Sequence, residues 1–302
     1  MKLIVAGGTG FIGSTLCNRL LERGHSITVL TRRPSPPTIS ANKKWLTWNP
    51  PARGPWEQAI DGADGVINLA GEPIAAKRWT QAQKERIRSS RVNTTRALVD
   101  AIANTRNWPK VLLNGSAIGY YGPRGDESLT EEAQPGGDFL SRVCIDWESE
   151  AKRLEGHGVR VLTLRTGLVL GKGGAALAKM VPPFKLFVGG PLGSGKQWVS
   201  WIHMEDEIGL ILFLLEHSNA HGAVNATAPN PVTMREFCRT LGKVLRRPSW
   251  APVPGFALRL LLGEMADMLL TGQRVLPAKA SSLGYTFRYP TLPEALQACM
   301  PL

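Results

Sequence analysis

Lys2-Leu3-Ile4-Val5-Ala6-Gly7-Gly8-Thr9-Gly10-Phe11-Ile12-Gly13 is the stretch whose reading decides the fold. A short apolar run enters a glycine cluster. A segment with Ile12, Leu16 and Leu20 four residues apart follows, the pattern of strand, tight turn and helix. The glycines satisfy both Gly8-x-Gly10-x-x-Gly13 and Gly7-x-x-Gly10-x-x-Gly13. In such a loop one glycine permits the turn, Gly10 lets a pyrophosphate approach the backbone, and Gly13 lets the helix close on the strand. The free amides at the helix N-terminus attract the anion. Gly24 ends the helix and Ser26 to Leu30 forms a second strand, so the elements stand in the order a dinucleotide cradle requires.

The end of the second strand selects the dinucleotide. A carboxylate there would hold ribose hydroxyls and repel a 2′-phosphate. The chain instead has Thr31-Arg32-Arg33, a hydroxyl and guanidinium groups that can bond a phosphate. The expected cofactor is therefore NADP(H). Gly190-Pro191-Leu192-Gly193-Ser194-Gly195-Lys196 imitates a triphosphate-binding loop, but Gln197 stands where a magnesium-binding hydroxyl belongs, so an ATPase is not expected.

Beyond this unit, strands alternate with helical patterns, which predicts a doubly wound parallel α/β sheet of Rossmann type. The pattern predicts strands at Trp45 to Trp48, Gly65 to Ala70, Val111 to Leu113 and Val159 to Leu164. Helices are predicted from Thr80 to Asn104 and Asp146 to Glu155, and a Pro-rich loop from Pro34 to Pro37. The rhythm changes after Gly167. Residues 171–195, dense in Gly and Pro, read as loops of a lid or pocket. Helices follow at Glu205 to Glu216, Met234 to Leu245, Phe256 to Leu270 and Leu292 to Met300. The expected organisation is a cofactor domain over 1–167, rejoined by a strand near 222–226, and a smaller substrate-side portion over 168–302.

Bulk composition narrows the function. The chain has 302 residues, 43% hydrophobic and 20% charged, ample for a globular core and too apolar for disorder. No apolar run approaches the roughly 20 residues of a membrane span, so no membrane partner is expected. No signal peptide precedes the first strand, and the expected location is cytoplasmic. Cys17, Cys144, Cys238 and Cys299 show no paired spacing and the five histidines no cluster, so neither zinc nor a disulfide framework is indicated. The net charge of +12 suggests an anionic partner, but the basic residues are scattered, so nucleic acid is not expected.

With these residues in place the chain resembles the extended short-chain dehydrogenases/reductases. The resemblance rests on Gly7 to Gly13, Asn68-Leu69-Ala70-Gly71, Ser116 to Gly122, and Trp201-Ile202-His203-Met204-Glu205-Asp206. More narrowly it is similar to an atypical epimerase-like subfamily once mislabelled as cell-division inhibitors, through Asn68 to Ile74, Lys77-Arg78-Trp79, Gly189 to Gly195, Gly272 to Pro277 and Tyr289 to Leu292. The resemblance implies an NADP-binding Rossmann fold with a short C-terminal domain. It implies cofactor contacts from Gly7, Thr9, Gly10, Phe11, Ile12, Gly13, Thr31, Arg32, Leu69, Ala70 and Gly71. It also places Arg91 where the wider superfamily has an Asn facing the nicotinamide half, so Arg91 is expected to contact that half of the cofactor through its ribose hydroxyls or the pyrophosphate.

Dehydrogenases of this kind use a Tyr acid, a Lys four residues later, and a Ser or Thr on the substrate oxygen. The four tyrosines are followed four on by Arg124, Gly125, Tyr289 and Pro293, so no Tyr-x-x-x-Lys exists. The aligned positions hold Leu140 and Cys144, and the hydroxyl position holds Ala117. Ser116 and Tyr121 remain as catalytic candidates, with Tyr120, Glu72, Asp138 and Arg142 nearby. Each has a plain structural alternative: Tyr121 packing under the loop, Ser116 bonding backbone, Asp138 capping a helix, His203 serving structure. The expected function is an NADP(H)-dependent oxidoreductase or epimerase-like enzyme acting on a small molecule. Lys77, Arg78, Lys196 and Arg274 favour an anionic one. The alternative is an NADPH-binding sensor without turnover.

Overall fold

The computed structural model describes residues 1–32 and 41–300; Arg33 and the segment from Pro34 to Pro37 lie outside the described residues. Seven parallel strands form the central sheet: β1 (Lys2–Ala6), β2 (Ser26–Thr31), β3 (Lys43–Thr47), β4 (Gly65–Asn68), β5 (Val111–Ala117), β6 (Arg160–Thr166) and β7 (Gly222–Ala226). Their order is β3-β2-β1-β4-β5-β6-β7, so the winding direction reverses between β1 and β4. Ligands of such sheets bind at the carboxyl ends of the strands beside that reversal. The register sets Ala6 beside Asn68 and Asn68 beside Asn114, which aligns the ends of β1 and β4 while β5 runs on to Ala117.

The helices are α1 (Phe11–Glu22), α2 (Gln81–Ala103), α3 (Phe139–Lys152), α4 (Ala175–Lys185), α5 (Met204–Glu216), α6 (Met234–Leu245), α7 (Gly255–Leu262), α8 (Asp267–Leu270), α9 (Ala278–Ser282) and α10 (Leu292–Cys299). One sheet face carries Leu3, Val5, Ile67, Leu113 and Leu164 under α1 and α5. The other carries Ile4, Val66 and Leu112 under α2 and α3, with Leu98, Ile102 and Ala151. Alternation of side chains along each strand gives every strand both faces, which is why these segments read as continuous apolar runs.

Several boundaries differ from the sequence expectation. The third strand begins at Lys43, the fourth ends at Asn68, and the fifth continues to Ala117. Helix α3 starts seven residues before Asp146, because the Asp138 carboxylate accepts from Ser141 N at 2.8 Å and caps the first turn. The span from Phe256 to Leu270 is not one helix. Gly263 takes φ +62° with the Arg78 guanidinium against it, and the chain continues through a 3₁₀ turn into α8. Residues 171–195 contain α4, which carries Pro182 and Pro183 in its last turn.

Residues 168–302 do not make a single separate body. Helix α5 and Ala280 of α9 pack on the main sheet, and β7 extends it beside β6. A second core of Leu177, Phe184, Trp201, Phe237, Leu241 and Leu296 joins α4, α6 and α10. Among the described residues no helix is long and apolar enough to cross a membrane.

Candidate functional site

The glycine loop joins β1 to α1 at the sheet reversal. Gly7 adopts φ +80°, and a Cβ there would lie 2.5 Å from the Leu69 carbonyl carbon. The two strand ends are therefore in backbone contact, tied further by Leu69 N donating to Ala6 O at 2.9 Å. A Cβ on Gly13 would stand 2.2 Å from Gly7 O, so only glycine lets α1 close on the loop. Gly10 is exposed and is the N-cap of α1, with no side-chain cap and no acidic residue in the first turn. The first-turn amides are thus open to an anion. Thr9 and Phe11 are exposed and Ile12 half-buried beside this cradle, and the Phe11 ring packs on Gly171 and Gly174.

At the end of β2, Thr31 is buried and its carbonyl accepts from Trp48 N at 3.0 Å, while Arg32 is exposed. Among the described residues Thr31 and Arg32, not a carboxylate, end this strand, so the residues present suit a phosphate-bearing adenosine.

Beyond β4, Leu69 and Ala70 are half-buried and Gly71 is exposed. Arg91, from α2, lies under this loop. Its Nη1 donates to Glu72 O at 3.0 Å and Ile87 O at 2.9 Å, and its guanidinium carbon is 5.2 Å from the Trp147 ring. A Cβ on Gly71 would come within 3.1 Å of that carbon. A buried polar cluster supports the loop from below. The Asn68 amide donates to Thr95 Oγ1 (2.9 Å) and Asn114 Oδ1 (2.7 Å), and its oxygen accepts from Ala70 N (3.2 Å). Trp147 Nε1 also donates to Thr95 Oγ1, at 2.8 Å. Polar residues interrupting the apolar runs of β4 and β5 were the signal of this cluster.

At the expected acid–base positions, Leu140 packs near Gly119, and the Cys144 thiol is buried, pushed up to about 12 chiefly by desolvation. No group there exchanges protons at neutral pH. The Ser116 hydroxyl donates to Glu148 Oε1 at 2.7 Å. Glu148 also takes Arg165 Nε at 2.8 Å and Nη2 at 2.9 Å. Arg165 Nη1 donates to Tyr121 Oη at 3.0 Å, and Tyr121 donates to Asn225 Oδ1 at 2.6 Å. The Tyr120 ring lies flat on the guanidinium, 3.4 Å away. Burial pushes the Tyr121 phenol up to about 12, opposed by Arg165. Both catalytic candidates therefore sit in one buried network, whose Glu148 and Arg165 the sequence reading missed.

The other candidates have local duties. Asp138 caps α3, Glu72 N donates to Ser90 Oγ at 2.9 Å, and Arg142 is exposed. His203 caps α5, its Nδ1 accepting from Glu205 N at 3.2 Å. The Gly190–Lys196 segment opens no helix and leads into a two-residue strand at Trp198. Among the described residues no group of three His, Cys, Asp or Glu could hold a metal. Glu207, in the first turn of α5, is fully buried and its carboxyl is pushed up to about 8 by desolvation. Thr166 Oγ1 donates to its Oε1 at 2.9 Å, while Oε2 has no hydrogen-bond partner among the described residues.

Comparison with known proteins agrees with this geometry. Residues 3–226 match the NAD dependent epimerase/dehydratase family, and residues 253–299 match a domain of unknown function, DUF1731. The epimerase family protein SDR39U1 homolog, chloroplastic, of Arabidopsis thaliana is 45% identical over 303 residues, covering 99% of this chain and 87% of that protein. Epimerase family protein YfhF of Bacillus subtilis is 40% identical over 297 residues, covering 98% and 97%. The crystal structure of human epimerase family protein SDR39U1 with NADPH superposes with a TM-score of 0.89 at 35% identity, covering 99% of both chains. With its glycine cradle, seven-stranded sheet and short C-terminal domain, the chain belongs to the NAD dependent epimerase/dehydratase family, among the SDR39U1-like members that carry DUF1731.

Proposed function

We propose that this chain binds NADP(H) across the carboxyl ends of β1, β2 and β4 and acts on a small anionic molecule as an oxidoreductase or epimerase-like enzyme without a Tyr–Lys pair. One observation carries the cofactor assignment: a glycine-only junction between Gly7 and Gly13, opening onto an uncapped helix, with Arg32 rather than an acid at the end of β2. The human relative bound to NADPH supports it. Thr9, Gly10, Phe11, Ile12 and Gly13 hold the pyrophosphate through first-turn amides. Thr31 and Arg32 take the 2′-phosphate end. Leu69, Ala70 and Gly71 border the nicotinamide half, and Arg91 fixes that loop from beneath. When bound, the cofactor supplies hydride chemistry at its nicotinamide.

A second reading, cofactor binding without turnover, is favoured by Leu140 and the buried Cys144 at the acid–base positions. One experiment separates them. NADPH affinity is measured by fluorescence titration, and NADPH oxidation is followed with a panel of carbonyl and nucleotide-sugar substrates. Submicromolar binding with no oxidation by any substrate supports the sensor. Turnover supports the enzyme. Absence of binding sinks both.

A further inference from the structure

Helix α7 is eight residues long, Gly-Phe-Ala-Leu-Arg-Leu-Leu-Leu, and Leu258 is its only buried residue. Phe256, Leu260 and Leu261 are 75%, 76% and 67% exposed. Leaving such side chains in water forfeits burial that a folded chain normally takes. A second apolar group follows α4, where Leu186, Phe187 and Val188 are all at least half exposed and Trp250 is two-thirds exposed. Phe187 adopts φ +63°, a conformation that bulky residues avoid. Trp250 Nε1 holds it there by donating to Phe187 O at 2.9 Å. The segment 250–253 runs beside 189–193, through bonds from Trp250 N to Gly189 O and Val253 N to Pro191 O, and leads into α7. The two apolar groups thus share one joined framework.

The charge around them is mostly basic, and the exposed Glu264 and Asp267 that follow α7 are paired with Lys84 and Arg259. Residues 172–202 contain four lysines and no acidic residue, and residues 234–262 contain six Lys or Arg against Glu236 alone. Lys185, Arg246 and Arg247 are exposed beside the apolar groups, with the Arg247 guanidinium 4.7 Å from the Phe187 ring.

We infer that this face docks on an anionic phospholipid surface, with Phe256, Leu260, Leu261, Phe187 and Trp250 entering the headgroup boundary and Lys185, Arg246 and Arg247 meeting lipid phosphates. Interfacial helices combine apolar and aromatic residues with Lys and Arg in this way. Attraction to an anionic leaflet is additive over basic residues close to it. The exposed side chains protrude instead of lining a groove, which suits a fluid hydrocarbon boundary. A symmetric pairing of two copies would bring two such basic faces together on a chain already at +12. The sequence expectation of no membrane partner rested on the lack of a spanning segment, and surface docking requires none.

The test is flotation of the full chain with vesicles of phosphatidylcholine alone and of phosphatidylcholine mixed equally with phosphatidylglycerol. Binding to the anionic vesicles is expected to be at least about tenfold tighter, since each Lys or Arg near such a surface adds roughly a fivefold factor. High salt should weaken it. Leu260→Asp with Leu261→Asp, and separately Arg246→Glu with Arg247→Glu, should each reduce binding about tenfold or more while NADPH titration stays unchanged. The Trp emission of the parent should shift to the blue on anionic vesicles, and that of Trp250→Phe much less. Equal association with both vesicle types, no association with either, or undiminished binding of both double variants would overturn the assignment. So would a concentration-dependent dimer that the Asp variant abolishes.

Discussion

Arg165, near the carboxyl end of β6, and Glu148, in the body of α3, are joined by bonds of 2.8 and 2.9 Å, with side chains only 3% and 2% exposed. Such a pair draws together everything polar around it, here Ser116, Tyr121 and, through Tyr121, Asn225. The two ions are costly to desolvate and far more costly to leave alone.

Replacing Arg165 with Met should therefore destabilise the chain by about 3–5 kcal/mol, because Glu148 would be stranded. Adding Glu148→Leu should return much of that loss. Urea denaturation of the three variants checks both statements. If the double variant is as unstable as the single one, the pair does not act as a unit.

Tyr121→Phe leaves Asn225 Oδ1 without its phenolic donor and should cost about 1–3 kcal/mol of stability. NADPH affinity should not change. A loss of turnover by orders of magnitude with stability intact would instead make Tyr121 a catalytic residue.

Arg32→Ala should remove a charge-assisted phosphate contact of roughly 1.5–3 kcal/mol. NADPH binding would weaken about tenfold or more and NADH binding hardly at all. Parallel titrations with the two cofactors decide it, and equal losses would refute the 2′-phosphate role.

Arg91→Met removes the donor to the Glu72 and Ile87 carbonyls. The loop that starts at Leu69 should loosen, and NADPH affinity should fall several-fold without loss of global stability. Amide hydrogen exchange of residues 69–74, read with the titration, tests this. Unchanged protection and unchanged affinity would leave Arg91 without a role at the site.

Glu207 gives a pH dependence of defined sign. Burial raises its carboxyl from the ordinary 4.5 to about 8, so the folded chain keeps a proton that the unfolded chain releases. Its contribution to stability is complete below about 4.5 and is lost as pH rises toward 8, at up to roughly 1.4 kcal/mol per pH unit. Glu207→Gln should flatten this decline between pH 5 and 8 in denaturation curves. An equally steep decline in the variant would assign it to other groups.

What the sequence determined by itself is the part governed by local stereochemistry. Gly7, Gly10 and Gly13 are spaced as a strand–turn–helix junction demands, and the alternation of apolar runs with four-residue spacing specifies a parallel sheet wrapped by helices. That no Tyr-x-x-x-Lys occurs was equally visible, because it is read from residue types alone, whereas the Cys144 thiol is pushed up to about 12 only by its burial. The tertiary structure alone decided where polar groups far apart in the chain would meet. Glu148 reads as an ordinary helix residue and Arg165 falls just past the strand expected to end at Leu164, until α3 packs on β6. Ser116 and Tyr121 look like free hydroxyls until that pair and Asn225 capture them. Arg91 reads as a contact to the nicotinamide half, and only the packing of α2 beneath the β4 loop gives its guanidinium the Glu72 and Ile87 carbonyls. The bond from Trp250 Nε1 to the Phe187 carbonyl likewise joins residues that no local window contains. Backbone preference acts over a few residues, whereas desolvation of a charge depends on everything that packs around it.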